Sequence, residues 1–394
     1  MDEISTKPLS CPAFDTCGGC SLLNLPYTEQ LTHKRNNVIK TLESTDFAGL
    51  DATLIIPSPN ITAYRNKMEF SFGDSADSHL ELGIRNRRRF YEVTTPTDCL
   101  LITDGFKRAV MATLEYFRQT DEKFYHRRKH TGSLRYLVVR RGEFTGEMLV
   151  NLVTTSALDN ELLTGWTALL LEKTPEIIGI LHTTSDSKSD AVVPENTTIL
   201  HGRDFFYEKL NGLTFGISPF AFCQTNSAAS ELLYQATADF VEKNSKNNDI
   251  IFDLYCGTGT IAQILSKKIS TPARIIGVEL VQEAIDSAVK NAELNGITNC
   301  EFIAGDVLKI VDTLKFSPDT IVLDPPRPGL SPKAIAKILN FNAAKIIYIS
   351  CKLKSLARDL PYFQQAGYTI TDMQIHDLFP HTEHIETLCV LEKS

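Results

Sequence analysis

The sequence predicts an α/β protein in two parts: a polar, β-rich front (1–215) and a Rossmann-like, mostly parallel seven-stranded sheet behind it (216–394). Three observations carry this. Composition shifts near residues 211–220. Beyond that point short apolar runs alternate with amphipathic helical spacings, which implies a parallel sheet covered on both faces. A glycine-bearing turn follows the first of these runs, where such sheets bind ligands. The chain has 394 residues, enough for two or three ordinary domains, and its 43% hydrophobic and 22% charged residues suit a packed core and exclude general disorder. No run of eighteen apolar residues predicts a membrane span. Met1-Asp2-Glu3-Ile4-Ser5 lacks the basic and apolar regions of a secretory signal, so a cytoplasmic protein is expected. The formal net charge of −8 excludes a globally basic nucleic-acid coat but not a local groove. Nine cysteines in such a chain read as thiols or metal ligands rather than disulfides.

In the rear part, strands are expected at 249–254, 274–279, 300–303, 320–324, 345–350, 368–373 and 387–391. Helices are expected from about Thr260, over 281–295 with Gly296 as its stop, over 331–339 with Pro332 in the first turn, and over 355–365. In front, 27–42 reads as a helix with a place against the rear domain, and 61–100 and 133–155 read as sheet. The topology of the front is not legible.

The turn Tyr255-Cys256-Gly257-Thr258-Gly259 ends a strand and opens a helix. Glycines there let a ligand approach the backbone. The spacing Gly257, Gly259, Ala262, with Glu279 twenty residues past Gly259, fits a dinucleotide fingerprint, but also S-adenosylmethionine with Glu279 on its ribose hydroxyls. Asp253 favours the second reading, because an acid repels a pyrophosphate and suits a cationic sulfonium ligand. Asp306 follows the third strand and can accept from an adenine amino group. Asp324-Pro325-Pro326-Arg327 follows the fourth and faces the same crevice.

Cys351 ends the fifth strand and points into that crevice, where the N–H dipoles of a following helix would favour its thiolate. The run His381-Thr382-Glu383-His384-Ile385-Glu386 reads better as acid–base than as metal chemistry, since His-x-x-His alone is a poor zinc signature.

Asp-Leu-Tyr-Cys-Gly-Thr-Gly at 253–259, Asp-Pro-Pro-Arg-Pro-Gly at 324–329, Ser-Cys-Lys-Leu-Lys-Ser-Leu-Ala-Arg-Asp at 350–359, the 381–386 run and Phe222-Cys223-Gln224-Thr225-Asn226 together resemble the RNA uracil-C5 methyltransferase family. The resemblance runs from Cys11 onward. It implies a class I methyltransferase domain that makes 5-methyluridine in transfer or ribosomal RNA. Cys351 would be the nucleophile and Glu386 the base; Gln224, Tyr255, Glu279 and Asp324, with Asp306 and Thr260, would contact S-adenosylmethionine. The chain departs from the family in two places. Lys352-Leu353 stands where Asn-Pro is usual after the cysteine, and only ten residues precede Cys11, too few for the N-terminal β-barrel RNA-binding domain of some members.

Cys11, Cys17 and Cys20 form C-x5-C-x2-C, and Cys99 offers a fourth thiol. Four thiolates can hold zinc or an iron–sulfur cluster, and spacing does not choose. The resemblance implies a [4Fe-4S] cluster in an iron–sulfur and RNA-binding front region, and 23S ribosomal RNA ahead of transfer RNA as substrate.

Residues 85–141 hold fourteen Lys and Arg against six Asp and Glu, a local net of +8. Phe90, Tyr91, Phe124, Tyr125 and Tyr136 are interleaved. Cations with stacking surfaces are what a looped RNA needs. The target uridine would have to be extruded for a thiol to reach C6. No membrane and no obligate protein partner are expected. The competing readings are a nicotinamide-dependent oxidoreductase and a non-catalytic RNA-binding iron–sulfur protein. An N-methyltransferase is a weaker variant, as Arg327 stands where such enzymes usually want an aromatic.

Overall fold

The structure is a computed structural model. It describes the chain except residues 1–6, 44, 46, 48, 50–52, 76–78, 90, 190–193, 244, 247, 271–272, 311–312, 315–316 and 394. The N-terminal pentapeptide and Phe90, both used above, lie outside the described residues.

From the N-terminus run α1 (Tyr27–Leu42), β1 (Leu54–Ile56), β2 (Lys67–Asp74), β3 (Leu80–Arg85), β4 (Val93–Thr94), α2 (Asp104–Arg118), β5 (Leu134–Arg141) and β6 (Met148–Thr154). Next come α3 (Leu162–Lys173), β7 (Ile177–Thr184), β8 (Asn196–Gly202) and the hairpin β9 (Phe206–Leu210) and β10 (Leu213–Ile217). The rear part begins with α4 (Ser227–Glu242), β11 (Asp249–Leu254), α5 (Thr260–Lys268), β12 (Ala273–Glu279), α6 (Gln282–Leu294), β13 (Cys300–Ala304) and α7 (Val307–Ile310). It ends with β14 (Thr320–Leu323), α8 (Pro332–Leu339), β15 (Lys345–Ser350), α9 (Leu353–Gln365), β16 (Tyr368–His376) and β17 (Glu386–Lys393).

The front sheet has the order β4-β3-β2-β5-β6-β7-β8. Its centre is β5 and β6, whose residues are almost all buried. Helix α2 lays Phe106, Val110 and Phe117 against α3, where Trp166 is fully buried and donates its indole N–H to Thr113 Oγ1 at 3.1 Å. That bond satisfies the one polar atom of an otherwise apolar anchor.

The rear sheet has the order β1-β16-β17-β15-β14-β11-β12-β13. Strands β15-β14-β11-β12-β13 are parallel, and β17 is antiparallel to both β15 and β16. The seven expected rear strands are all present. An eighth, β1, comes from the front and pairs in parallel with β16. Side chains alternate across the sheet. Ile251, Val322, Ile347 and Ile349 meet α4 and α5, while Phe252, Leu254, Ile321, Leu323 and Tyr348 meet α1, α8 and α9. Each fully buried side chain of this kind is worth about 1.5–3 kcal/mol. Burial on both faces is why these strands read as continuous apolar runs. Helix starts are set by caps: Asn226 Oδ1 accepts from Ala229 N at 3.1 Å, and Ser331 Oγ from Ala334 N at 3.2 Å ahead of Pro332. Strand order reverses at β11, with β12 on one side and β14 on the other, which opens a crevice at the carboxyl edge.

Candidate active site

The turn after β11 is built from left-handed residues: Tyr255 (φ 68°), Gly257 (φ 54°) and Gly259 (φ 70°). The two glycines serve different ends. A Cβ on Gly259 would lie 2.5 Å from Phe302 and 2.9 Å from Ala288, so that glycine lets α5 pack on β13 and α6. A Cβ on Gly257 would meet nothing within 4 Å, so that glycine faces open space. Glu279 braces the turn, accepting from Gly257 N at 3.2 Å and Val281 N at 3.1 Å. Asp253 does not face the crevice as the sequence reading expects. It is fully buried, and Oδ2 accepts from Ala262 N at 3.0 Å, tying the strand to the start of α5. Its Oδ1 is buried with no hydrogen-bond partner, and burial pushes the carboxyl up to about 7. Asp253 therefore gives no direct evidence on the charge of a ligand.

Leu254 pairs with both Val278 and Leu323, so the next residues, Tyr255, Glu279 and Asp324, lie at one level of the carboxyl edge. Burial raises Asp324 to about 7. Burial, with Asp306 and Glu279 nearby, raises the Tyr255 phenol to about 12. Asp306 also caps the short helix α7, its Oδ1 accepting from Leu308 N at 2.9 Å. Thr260 Oγ1 lies 3.2 Å from Thr258 Oγ1. Gln224 is buried just before α4, its carbonyl accepting from Asn66 Nδ2 at 2.9 Å.

Ser350 of β15 is paired with Thr387 of β17, and Thr387 Oγ1 donates to the Ser350 carbonyl at 3.1 Å. Cys351 follows Ser350 and Glu386 precedes Thr387, so the two residues flank the last pair of that register on the same side, and the carboxyl of Glu386 acts on the Cys351 thiol. Glu386 is 1% exposed, and its Oε2 has no hydrogen-bond partner. Burial drives its carboxyl well above the usual range; Asp324 adds to the rise and Arg327 opposes it. The half-buried Cys351 thiol is pushed up to about 11 by burial, with Glu386 and Asp324 raising it and Arg327 lowering it. This corrects the expected helix-favoured thiolate. Cys351 lies two residues before the first helical position, and burial is the largest influence on its thiol. Arg327 and Tyr234 also belong to this group, since Tyr234 of α4 senses Asp324, Glu386 and Asp253. Arg327 was visible in the sequence only as the residue after Asp-Pro-Pro. Tyr234 carried no signal.

His381 is not an acid–base group. Gln30 Nε2 donates to its Nδ1 at 3.2 Å, and its Nε2 donates to the Ile61 carbonyl at 2.7 Å. Both ring nitrogens are used, which leaves a neutral imidazole with no free lone pair. Glu383 pairs at the surface with His33. His384 is exposed beside Phe379 and senses Arg327 and Arg65.

At the front, Cys11, Cys17, Cys20 and Cys99 line one cavity of about 50 Å³. Gly19 N donates to Cys17 Sγ at 3.3 Å, and the turn is pinned to β3 by Gly18 N on the Arg85 carbonyl at 3.0 Å. Among the described residues, no three Cys, His, Asp or Glu side chains converge closely enough to ligate a single metal ion.

The basic segment divides in two. Arg135 and Arg140 are buried anchors, 4% and 2% exposed. Arg135 donates to the carbonyls of Ser185, Ser187 and Ser189, and Arg140 to those of Ser218, Pro219 and Ala221, bracing the loop that carries Gln224. Arg89, Lys107, Arg108 and Arg118 are in ion pairs with nearby acids. A concave patch bears Tyr91, Arg127 and Arg128 together with Lys188, and Tyr91 stacks on His126 with ring centroids 4.3 Å apart. Among the described residues no helix is long and apolar enough to cross a membrane.

A family model of tRNA (uracil-5-)-methyltransferase matches residues 26–394. Among curated proteins, an uncharacterized RNA methyltransferase of Caldanaerobacter subterraneus subsp. tengcongensis is 42% identical over 98% of this chain and 84% of its own length. An uncharacterized RNA methyltransferase of Clostridium tetani is 42% identical over 97% of this chain and 83% of its own length. Among solved structures, the Pyrococcus abyssi tRNA (uracil-54, C5)-methyltransferase in complex with S-adenosyl-L-homocysteine superposes with a TM-score of 0.76 at 26% identity, covering 97% of this chain and 87% of that one. The nicotinamide-dependent reading is thereby set aside, and the chain belongs to the tRNA (uracil-5-)-methyltransferase family.

Proposed function

We propose that this chain methylates C5 of a uridine in RNA through a transient bond between Cys351 Sγ and uracil C6. The observation that carries the reading is that Cys351 and Glu386 leave the Ser350–Thr387 pair at the same end, at the rim of an acid-lined crevice, with Glu386 acting on the Cys351 thiol. Uracil C5 is a weak nucleophile, and addition of the thiolate to C6 makes it enolate-like. S-adenosylmethionine, when bound, supplies the electrophilic methyl. Tyr255, Glu279, Asp306 and Asp324 at the carboxyl edge, with Thr260 and Gln224, are the residues that would hold it. The open space beside Gly257 and the acids Asp324 and Glu386 fit a cationic ligand. Once C5 carries the methyl group, Glu386 takes the C5 proton, the C5–C6 double bond re-forms and the C6–S bond breaks. Arg327 favours the ionised forms of both Cys351 and Glu386.

The four front cysteines would hold a [4Fe-4S] cluster. What supports this is that the four cysteines line one cavity and that Cys17 Sγ already accepts a backbone N–H. Its part is to pin the N-terminal segment to the fold, since methyl transfer is redox-neutral. Anaerobic purification should give a brown protein with a broad absorbance; bound zinc in its place would reverse the assignment. The patch of Tyr91, Arg127, Arg128 and Lys188 is the proposed RNA surface, combining stacking with phosphate neutralisation.

The proposed substrate is 23S ribosomal RNA. The fold likeness to the Pyrococcus abyssi enzyme supports a transfer RNA substrate as the second reading. Mapping 5-methyluridine in total RNA from a strain lacking the gene, before and after treatment with the protein, decides between them. Absence of any new 5-methyluridine would contradict both.

A further inference from the structure

The loop between β16 and β17 carries the chain into Glu386, and its centre is His381. This residue is 1% exposed and has φ 67°, a conformation that a non-glycine side chain adopts only when its surroundings over-determine it. Here they do. The His381 N–H donates to Gln30 Oε1 at 2.9 Å, and its carbonyl accepts from Ser21 N at 2.8 Å and Leu22 N at 2.9 Å. The ring bonds to Gln30 and Ile61 given above use both nitrogens and fix the proton on Nε2. Gln30 is itself fully committed, its second amide hydrogen going to the Leu25 carbonyl at 2.9 Å. Either side of His381 the loop is tied down again: Tyr64 Oη donates to the Pro380 carbonyl at 3.0 Å, and Thr382 Oγ1 to the Phe379 carbonyl at 2.9 Å.

We infer that His381 is a positioning residue: as a neutral imidazole hydrogen-bonded at both nitrogens, it locks the loop that sets Glu386 near Cys351. The inference rests on the covalent mechanism proposed above. Two of the bonds to His381 come from Ser21 and Leu22, directly after Cys20, so the cysteine-bearing arm helps to hold the base. The base acts only after the methyl group has moved. A loosened His381 therefore leaves Cys351 able to add to uracil and slows the later loss of the C5 proton.

The test compares His381→Ala with wild type on ordinary RNA and on RNA containing 5-fluorouridine. Fluorine at C5 leaves no proton to remove, so tethering to that RNA does not depend on Glu386. The variant should tether fluorinated RNA at the wild-type rate. On ordinary RNA it should turn over at least tenfold more slowly and accumulate at least tenfold more denaturation-resistant protein–RNA adduct. Slower turnover without extra adduct, or equal slowing on both RNAs, would overturn the inference. Failure of the wild-type protein itself to tether fluorinated RNA would instead bring down the covalent mechanism. Gln30→Met removes two restraints on His381 from the α1 side, the bonds to its Nδ1 and to its backbone N–H, and should reproduce the pattern if His381→Ala does not fold.

Discussion

Two buried polar clusters lie at the same edge of the rear sheet and are finished in opposite ways. Around the 377–382 loop the buried polar side chains are answered. Lys34 Nζ donates to Asp377 Oδ1 at 2.7 Å and to the Phe379 carbonyl at 3.0 Å; Asp377 Oδ2 accepts from Tyr27 Oη at 2.9 Å; Gln30 and His381 satisfy each other. At the crevice Glu386 Oε2 is buried without a partner, as is Asp253 Oδ1 beneath the turn that borders it, and Asp253, Asp324 and Glu386 all have raised pKa values. The contrast separates scaffold from chemistry. A completed network holds geometry. An incomplete acidic one stores an unfavourable field that a cationic ligand relieves, as expected where titratable groups must change state.

The largest effect should come from removing the sulfur. Cys351→Ala should lower methyl transfer by more than about 10⁴-fold, the upper range of general acid–base contributions, while donor binding measured by calorimetry persists. Full activity in that variant would contradict the mechanism. Glu386→Gln comes next, with a loss of roughly 10²–10⁴-fold and an adduct that survives denaturing gels. The completed cluster should respond in stability rather than in chemistry. Lys34→Met strands a buried carboxylate and should cost about 3–5 kcal/mol in denaturant unfolding, much of it recovered by adding Asp377→Leu. If the single and double variants are equally unstable, the ion pair is not what matters there.

The incomplete cluster should show itself through pH. A raised carboxyl keeps its proton in the folded chain after the unfolded chain has released it. Stability of the ligand-free protein should therefore fall as pH rises from the ordinary carboxylate range to about 7, Asp253 being the fully buried contributor. Asp253→Asn keeps the acceptor for Ala262 N and removes the charge, so it should gain about 1–3 kcal/mol at pH 8 and little at pH 4. A pH-independent effect would break the comparison. The smallest effects belong to the surface. Arg128→Ala should weaken RNA binding across sequences and reduce the salt slope by about 1.

The rear sheet was legible because its strands are apolar on both faces and its helices have recognisable stops. The 345–350 strand falls at Lys345–Ser350 and the front helix at Tyr27–Leu42, as the pattern predicts. Strand β1 was hidden: it is three residues long and finds its partner, Gln374–His376, more than three hundred residues away. Helices α2 and α3 and strands β7–β10 were not assigned from the sequence. Arg135 and Arg140 look like surface cations in sequence, because nothing local says that the strand carrying them is buried and that six carbonyls await them. The site shows the same division. Strand ends and glycines announced Tyr255, Asp324 and Cys351, whereas the inward turn of Asp253 and the saturation of His381 depend on partners brought in by folding.

The most direct test of the central claim is incubation of the protein and S-adenosylmethionine with 5-fluorouridine-containing RNA, followed by protease digestion and mass spectrometry. The account predicts one tethered peptide, with a methylated fluorouracil nucleotide on Cys351. A crosslink on another residue, or none while the same protein methylates ordinary RNA, would contradict it.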